Sequence, residues 1–263
     1  MTFNDYINNP MGKKNAVFTQ REMFRSMYAD KLDKILVREN GKIDFKTYVD
    51  KKNDKYYVYI KIPSEVIAKF YYDVVIEFST TNAVLKGIQT LDEYDVRFFS
   101  NDPAFVFTFA HAFIKNDMFI KELTPKMSKL AVKKVAEEKN PKDEIGYVKS
   151  IFFAFLYMRT RGLFKKIAYL DAPTIDFKIL TPLIMHADKK IELRQEAGKE
   201  YQRKLSEKKN LKQNRAKPEE SIASDVQKKQ SVVPVDAVKT TKKINKVKAA
   251  NTASFIKHTK KKR

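Results

Sequence analysis

Apolar residues recur at every second position over residues 43–49 and again over 56–62. Ile43, Phe45, Thr47 and Val49 fall on one side of the first stretch, opposite Lys42, Asp44, Lys46 and Tyr48, and Tyr56, Val58, Ile60 and Ile62 share one side of the second. A period of two is that of a strand with one buried face, and the polar run 51–55 between the two predicts the turn of a β-hairpin. Residues 71–79 predict a third strand with Tyr72, Val74, Ile76 and Phe78 turned inward, and 94–99 a fourth. The connection 80–91, which contains Gly87, follows neither period.

Elsewhere the period is that of a helix. Thr19 and Glu22 have the spacing of a capping box, and the helix they open places Met23, Met27, Tyr28, Leu32, Ile35 and Leu36 on one face before stopping at Asn40-Gly41. Asp102 and Pro103 supply an N-cap and a first helical residue for a helix through Phe105, Phe109, Ala112 and Phe113. Thr124-Pro125 repeats that start for a helix with Met127, Leu130 and Val135 inward, and Asn140-Pro141 stops it. Residues 143–161 predict a helix that is apolar nearly all round at 151–158, which marks it as buried. The fold class expected is α+β: a small, mainly antiparallel sheet within residues 42–99, packed by helices near 20–38, 103–115, 125–139 and 143–161. Residues 1–18, broken by Asn8, Asn9, Pro10 and Gly12, read as an irregular arm, and 19–185 as the core domain.

Charge divides the chain unevenly. Of 263 residues 53 are basic and 32 acidic, a net of +21, and residues 186–263 hold 23 basic and 9 acidic ones, a net of +14. Residues 186–217 have the composition of a charged, exposed helix, with Glu200 and Lys204 at the spacing of a supporting ion pair. Residues 218–263 show no apolar period and read as a lysine-rich disordered tail. Its last 22 residues carry Lys242, Lys243, Lys246, Lys248, Lys257, Lys260, Lys261, Lys262 and Arg263 with no acid among them. Such an excess repels itself unless a polyanion neutralises it, and nucleic acid is the first candidate. Lysine outnumbers arginine 43 to 10, which suits phosphate contact rather than bidentate reading of bases; an AT-rich coding sequence would give the same bias. Phe255-Ile256 is the one bulky apolar pair of the basic stretch, too little for membrane insertion, and the longest apolar run, 151–158, is too short to span a bilayer. The first twenty residues lack the apolar segment of a secretory signal.

Signs of catalysis are sparse. Without cysteine, thiolate chemistry, disulfides and Cys-ligated zinc are excluded. The six glycines are too scattered for a phosphate-cradling loop. His111, His186 and His258 are far apart in sequence, and His111 reads as a satisfied core histidine. Asp44-Phe45-Lys46, with Asp73, Glu77, Asp92, Glu93 and Asp95 on or beside later strands, offers a thin case for a metal-dependent nuclease, weakened by the same triplet in the loop-like Asp176-Phe177-Lys178. Tyr57 and Tyr59 on the lysine-flanked hairpin could stack bases, although cross-strand aromatic packing accounts for them as well.

Residues 98–110 (FFSNDPAFVFTFA), with 146–150 (GYVKS) and 9–13 (NPMGK), resemble stretches of virion structural proteins of tailed bacteriophages. The resemblance covers residues 1–165, carries no catalytic motif, and implies a structural role at the head, neck or tail near packaged DNA, in the virion or the host cytoplasm. The expectation is a non-enzymatic assembly protein without cofactor or metal. Its partners would be nucleic acid (DNA first, without sequence preference), other virion or assembly proteins, and further copies of itself, with no membrane insertion. The alternatives are a free nucleic-acid-binding protein of replication or transcription, and the nuclease.

Overall fold

Four strands, β1 (Phe45–Asp50), β2 (Lys55–Pro63), β3 (Tyr71–Ser79) and β4 (Asp95–Ser100), pair in sequence order as an antiparallel meander. The computed structural model describes residues 1–8, 30–80, 87, 90–133 and 139–215. The predicted alternation sets the register: Val58 pairs Ile76, Ile60 pairs Val74, and Ile76 pairs Phe98. Asp50 closes the hairpin by accepting from the Asn53 amide and side chain, while Asp54 turns the chain back at φ 50°. The chain is therefore α+β, as its periodicity implies.

Helices α1 (Phe3–Asn8), α2 (30–38), α3 (Ala110–Lys115), α4 (Lys129–Lys133), α5 (Lys149–Thr160), α6 (Phe177–Leu183) and α7 (Ala187–Arg215) surround the sheet. The face formed by Val58, Ile60, Val74, Ile76, Phe78 and Phe98 is covered by α1 and α5. Phe3 is fully buried, with its ring centroid 5.1 Å from those of both Phe98 and Phe155. The arm expected at 1–18 is thus corrected for its first eight residues: Phe3, Tyr6 and Ile7 belong to the core, and 9–18 lie outside the described residues.

The opposite face is buried too. Tyr57 meets Phe177 of α6 edge-on, Phe99 meets Phe119, and Tyr59 donates to the Leu183 carbonyl. Asp73 sits between sheet and helix: its carboxylate accepts from Tyr59 Oη at 2.8 Å, Asn101 Nδ2 at 2.7 Å and the Met185 amide at 3.1 Å. Glu77, equally buried, is held by Lys55 and Arg97. The sheet edges carry isolated bridges as well, β1 from Val49 to Thr174, and β4 from Asp95 to Thr2 and from Phe98 to Phe119, while Phe45 and Lys46 at the start of β1 stay exposed.

Three helices depart from the sequence reading. The one expected over 103–115 is interrupted by a wide π-turn at Phe105–Phe109 before α3 begins. That over 143–161 starts six residues late, because Asp143 adopts φ 55° and the segment up to Val148 is taken by α1: Tyr147 Oη donates to the Ile7 carbonyl and Val148 N to Tyr6 Oη. The helix expected over 125–139 begins only at Lys129, with α4, after a 3₁₀ turn at Lys121–Lys126; 134–138 lie outside the described residues, as do 20–29 of the first predicted helix. The compact unit reaches Lys212, past the expected boundary at 185, because Ala187 and Lys190 are buried on it.

Gly146 faces the π-turn. A Cβ there would lie 2.3 Å from Phe109 Cε1, so Gly146→Ala is expected to lower stability by about 1–3 kcal/mol, read as a shift of the urea midpoint without a change in slope.

Candidate anion-binding cavity

The end of β2, the π-turn, the start of α5 and the first turns of α7 enclose a cavity of about 370 Å³. Lys139, Lys149 and Arg194 line it together with the carboxyls of Glu65 and Asp102. Glu65 is bridged by Lys149 and, at 2.7 Å, by Lys31 of α2, while Arg38 fixes the loop by donating to the Ser64 carbonyl at 2.7 Å. Arg194 is oriented by Tyr72, with Nε donated to Oη at 2.8 Å. Burial, together with the nearby Lys31 and Arg194 cations, pulls the Lys149 ammonium down to about 8.

Asp102 organises the floor. Its carboxylate accepts from the Ala104 amide at 2.9 Å, which caps the π-turn, and Ser150 at the start of α5 lies close enough to favour its charged form. Burial nevertheless raises its pKa above the usual carboxylate value, against those contacts. The Asp102 and Pro103 signal read from the sequence therefore starts the π-turn.

The residues singled out by sequence fall in different places. Lys242, Lys243, Lys246, Lys248, Lys257, Lys260, Lys261, Lys262 and Arg263 lie outside the described residues. Tyr57 and Tyr59 are 2 % and 3 % exposed, so the expected stacking platform is corrected: α6 covers the rings, and burial raises both phenol pKa values. Asp44 precedes β1 and Asp95 opens β4, on opposite edges of the sheet and three strand spacings apart, about 14 Å at least. Asp95 there holds the chain's terminal amine at 2.6 Å. The nuclease set is not assembled, and among the described residues no group of three or more His, Asp or Glu is placed to hold a metal ion. Asp176, read as part of a loop, caps α6 by accepting from the Lys178 amide. His111 is not a core residue but a half-buried one, its Nδ1 2.9 Å from the Asp143 carboxylate, which Lys115 also reaches. Among the described residues no helix is long and apolar enough to cross a membrane.

Lys149 and Arg194 do not stand out in the sequence because chain separation hides their meeting. The signal present is Lys149 itself, a lysine opening the most apolar helix of the chain. The chain matches no family model, no curated protein and no solved structure in comparisons with each.

Proposed function

We propose that this is a non-enzymatic assembly protein, a virion component of a tailed bacteriophage, whose basic C-terminal stretch neutralises nucleic-acid phosphates without reading bases. The observation that carries the reading is the charge partition: a net of +14 in residues 186–263, ending in nine basic residues and no acid over the last 22. Lysine's point charge on a flexible stem contacts phosphates without the fixed fork that reads guanine. The remainder of the chain supports a docking role. Ile167, Leu170, Ile179 and Leu183 are exposed apolar side chains on one short segment, and surfaces of that kind suit contact with other subunits. The non-enzymatic part of the proposal rests on the separation of the candidate acids Asp44 and Asp95 across the sheet.

The test is binding of the full chain to two duplexes of unrelated sequence with Mg²⁺ present. Equal affinities and intact DNA are expected. Base selectivity of about a hundredfold, or cleavage of either duplex, would contradict the proposal.

A further inference from the structure

We propose that the cavity between β2, α5 and α7 binds a phosphate monoester carried on an aromatic body, the chemical class of mononucleotides. Its volume of about 370 Å³ suits a ligand of that size. Charge selects the head group. Lys139, Lys149 and Arg194 line the cavity with Glu65 and Asp102, and Lys31 pairs with Glu65 from outside the lining; with Glu65 so neutralised, the remaining cations match the roughly −1.5 to −2 of a phosphate monoester better than the single charge of a carboxylate. Arg194 is held by Tyr72 through Nε, which fixes the guanidinium plane for a two-pronged contact with phosphate oxygens. Lys149 is a desolvated cation beside two others, and an anion in the cavity offsets that repulsion.

The aromatic body is inferred from Phe107. It stands on the cavity wall 49 % exposed, in a π-turn whose other phenylalanines, Phe105 and Phe109, turn into the protein. Wide turns of this kind recur at functional sites, and an exposed ring beside a phosphate site is a stacking surface for a base. The residues of this site are not those of the basic tail, and the inference does not depend on the function proposed above.

The experiment is calorimetric titration of the full chain with adenosine 5′-monophosphate, ribose 5-phosphate and adenosine. The nucleotide is expected to bind one to one with a dissociation constant on the order of 10 μM, and adenosine far more weakly. Arg194→Gln should weaken both phosphates about tenfold or more, whereas Phe107→Ala should weaken the nucleotide about tenfold and leave ribose 5-phosphate unchanged. Both side chains are on the surface, so neither variant threatens folding. Lys149 is faced by Lys31, Glu65, Asp102, Lys139 and Arg194, and its ammonium, held at about 8, loses its proton as pH rises from about 7 to about 9. Nucleotide affinity should therefore fall over that window. Competition by a 5′-phosphorylated oligonucleotide would identify a strand end as the source of the ligand; competition by the free nucleotide alone would identify a soluble one. Either supports the site. Nucleotide binding that is not saturable, or that neither substitution changes, would overturn it and place the contact on the basic tail.

Discussion

Replacing Asp73 with alanine is expected to remove about 3–5 kcal/mol of stability. The carboxylate is buried and accepts from three donors, Tyr59 Oη, Asn101 Nδ2 and the Met185 amide, from three separate parts of the chain. Each donor left without an acceptor in a dry site costs about 1–3 kcal/mol, and the Lys190 ammonium is deprived of a nearby opposing charge. Alanine strands the Met185 amide and leaves Tyr59 and Asn101 only their longer bonds to the Leu183 and Met185 carbonyls, at 3.3 and 3.2 Å. Asparagine keeps one acceptor oxygen and should recover part of the loss. Urea unfolding measures the total, and hydrogen exchange at Met185 measures the local share, since that amide bond ties the segment after α6 to the sheet. A loss below about 1 kcal/mol would mean that water replaces the carboxylate at little cost.

Replacing all nine basic residues from Lys242 to Arg263 by serine should weaken duplex binding by about a hundredfold or more near 100 mM salt. Removing a single phosphate interaction also lowers the slope of log affinity against log salt by about one unit. The compact unit should be unaffected, because these residues lie beyond Lys212, and its unfolding midpoint provides the control. Residual binding would come from the ten basic residues of α7, opposed by its five acidic ones. If the variant binds as tightly as the parent, the DNA contact lies on the compact unit and the basic stretch is only a solvated extension.

The strands were legible because alternation at Val58, Ile60, Val74 and Ile76 is a direct record of one buried face. The second face left no such record. Tyr57, Tyr59, Asp73 and Glu77 sit at the polar positions of the pattern and imitate a solvated surface, yet each is buried under segments whose own apolar signal is slight. The helix α6 has seven residues and a proline at position 182, too short to establish a period, and α1 buries Phe3, Tyr6 and Ile7 within six residues rich in asparagine. Local signals failed at 143–148 for a tertiary reason, since the hydroxyl of Tyr6 takes the Val148 amide just before α5. The cavity was the least legible feature. Glu65, Lys149 and Arg194 are brought together only by the fold, whereas the basic tail is written in composition alone.

The most direct test of the proposed function is the affinity of the full chain for a random-sequence duplex, measured from about 50 to about 200 mM monovalent salt. With about six to nine phosphate contacts, the affinity should fall by about 10³–10⁵ over that range, with the same slope for any sequence. A nearly flat dependence would contradict phosphate neutralisation by the basic tail.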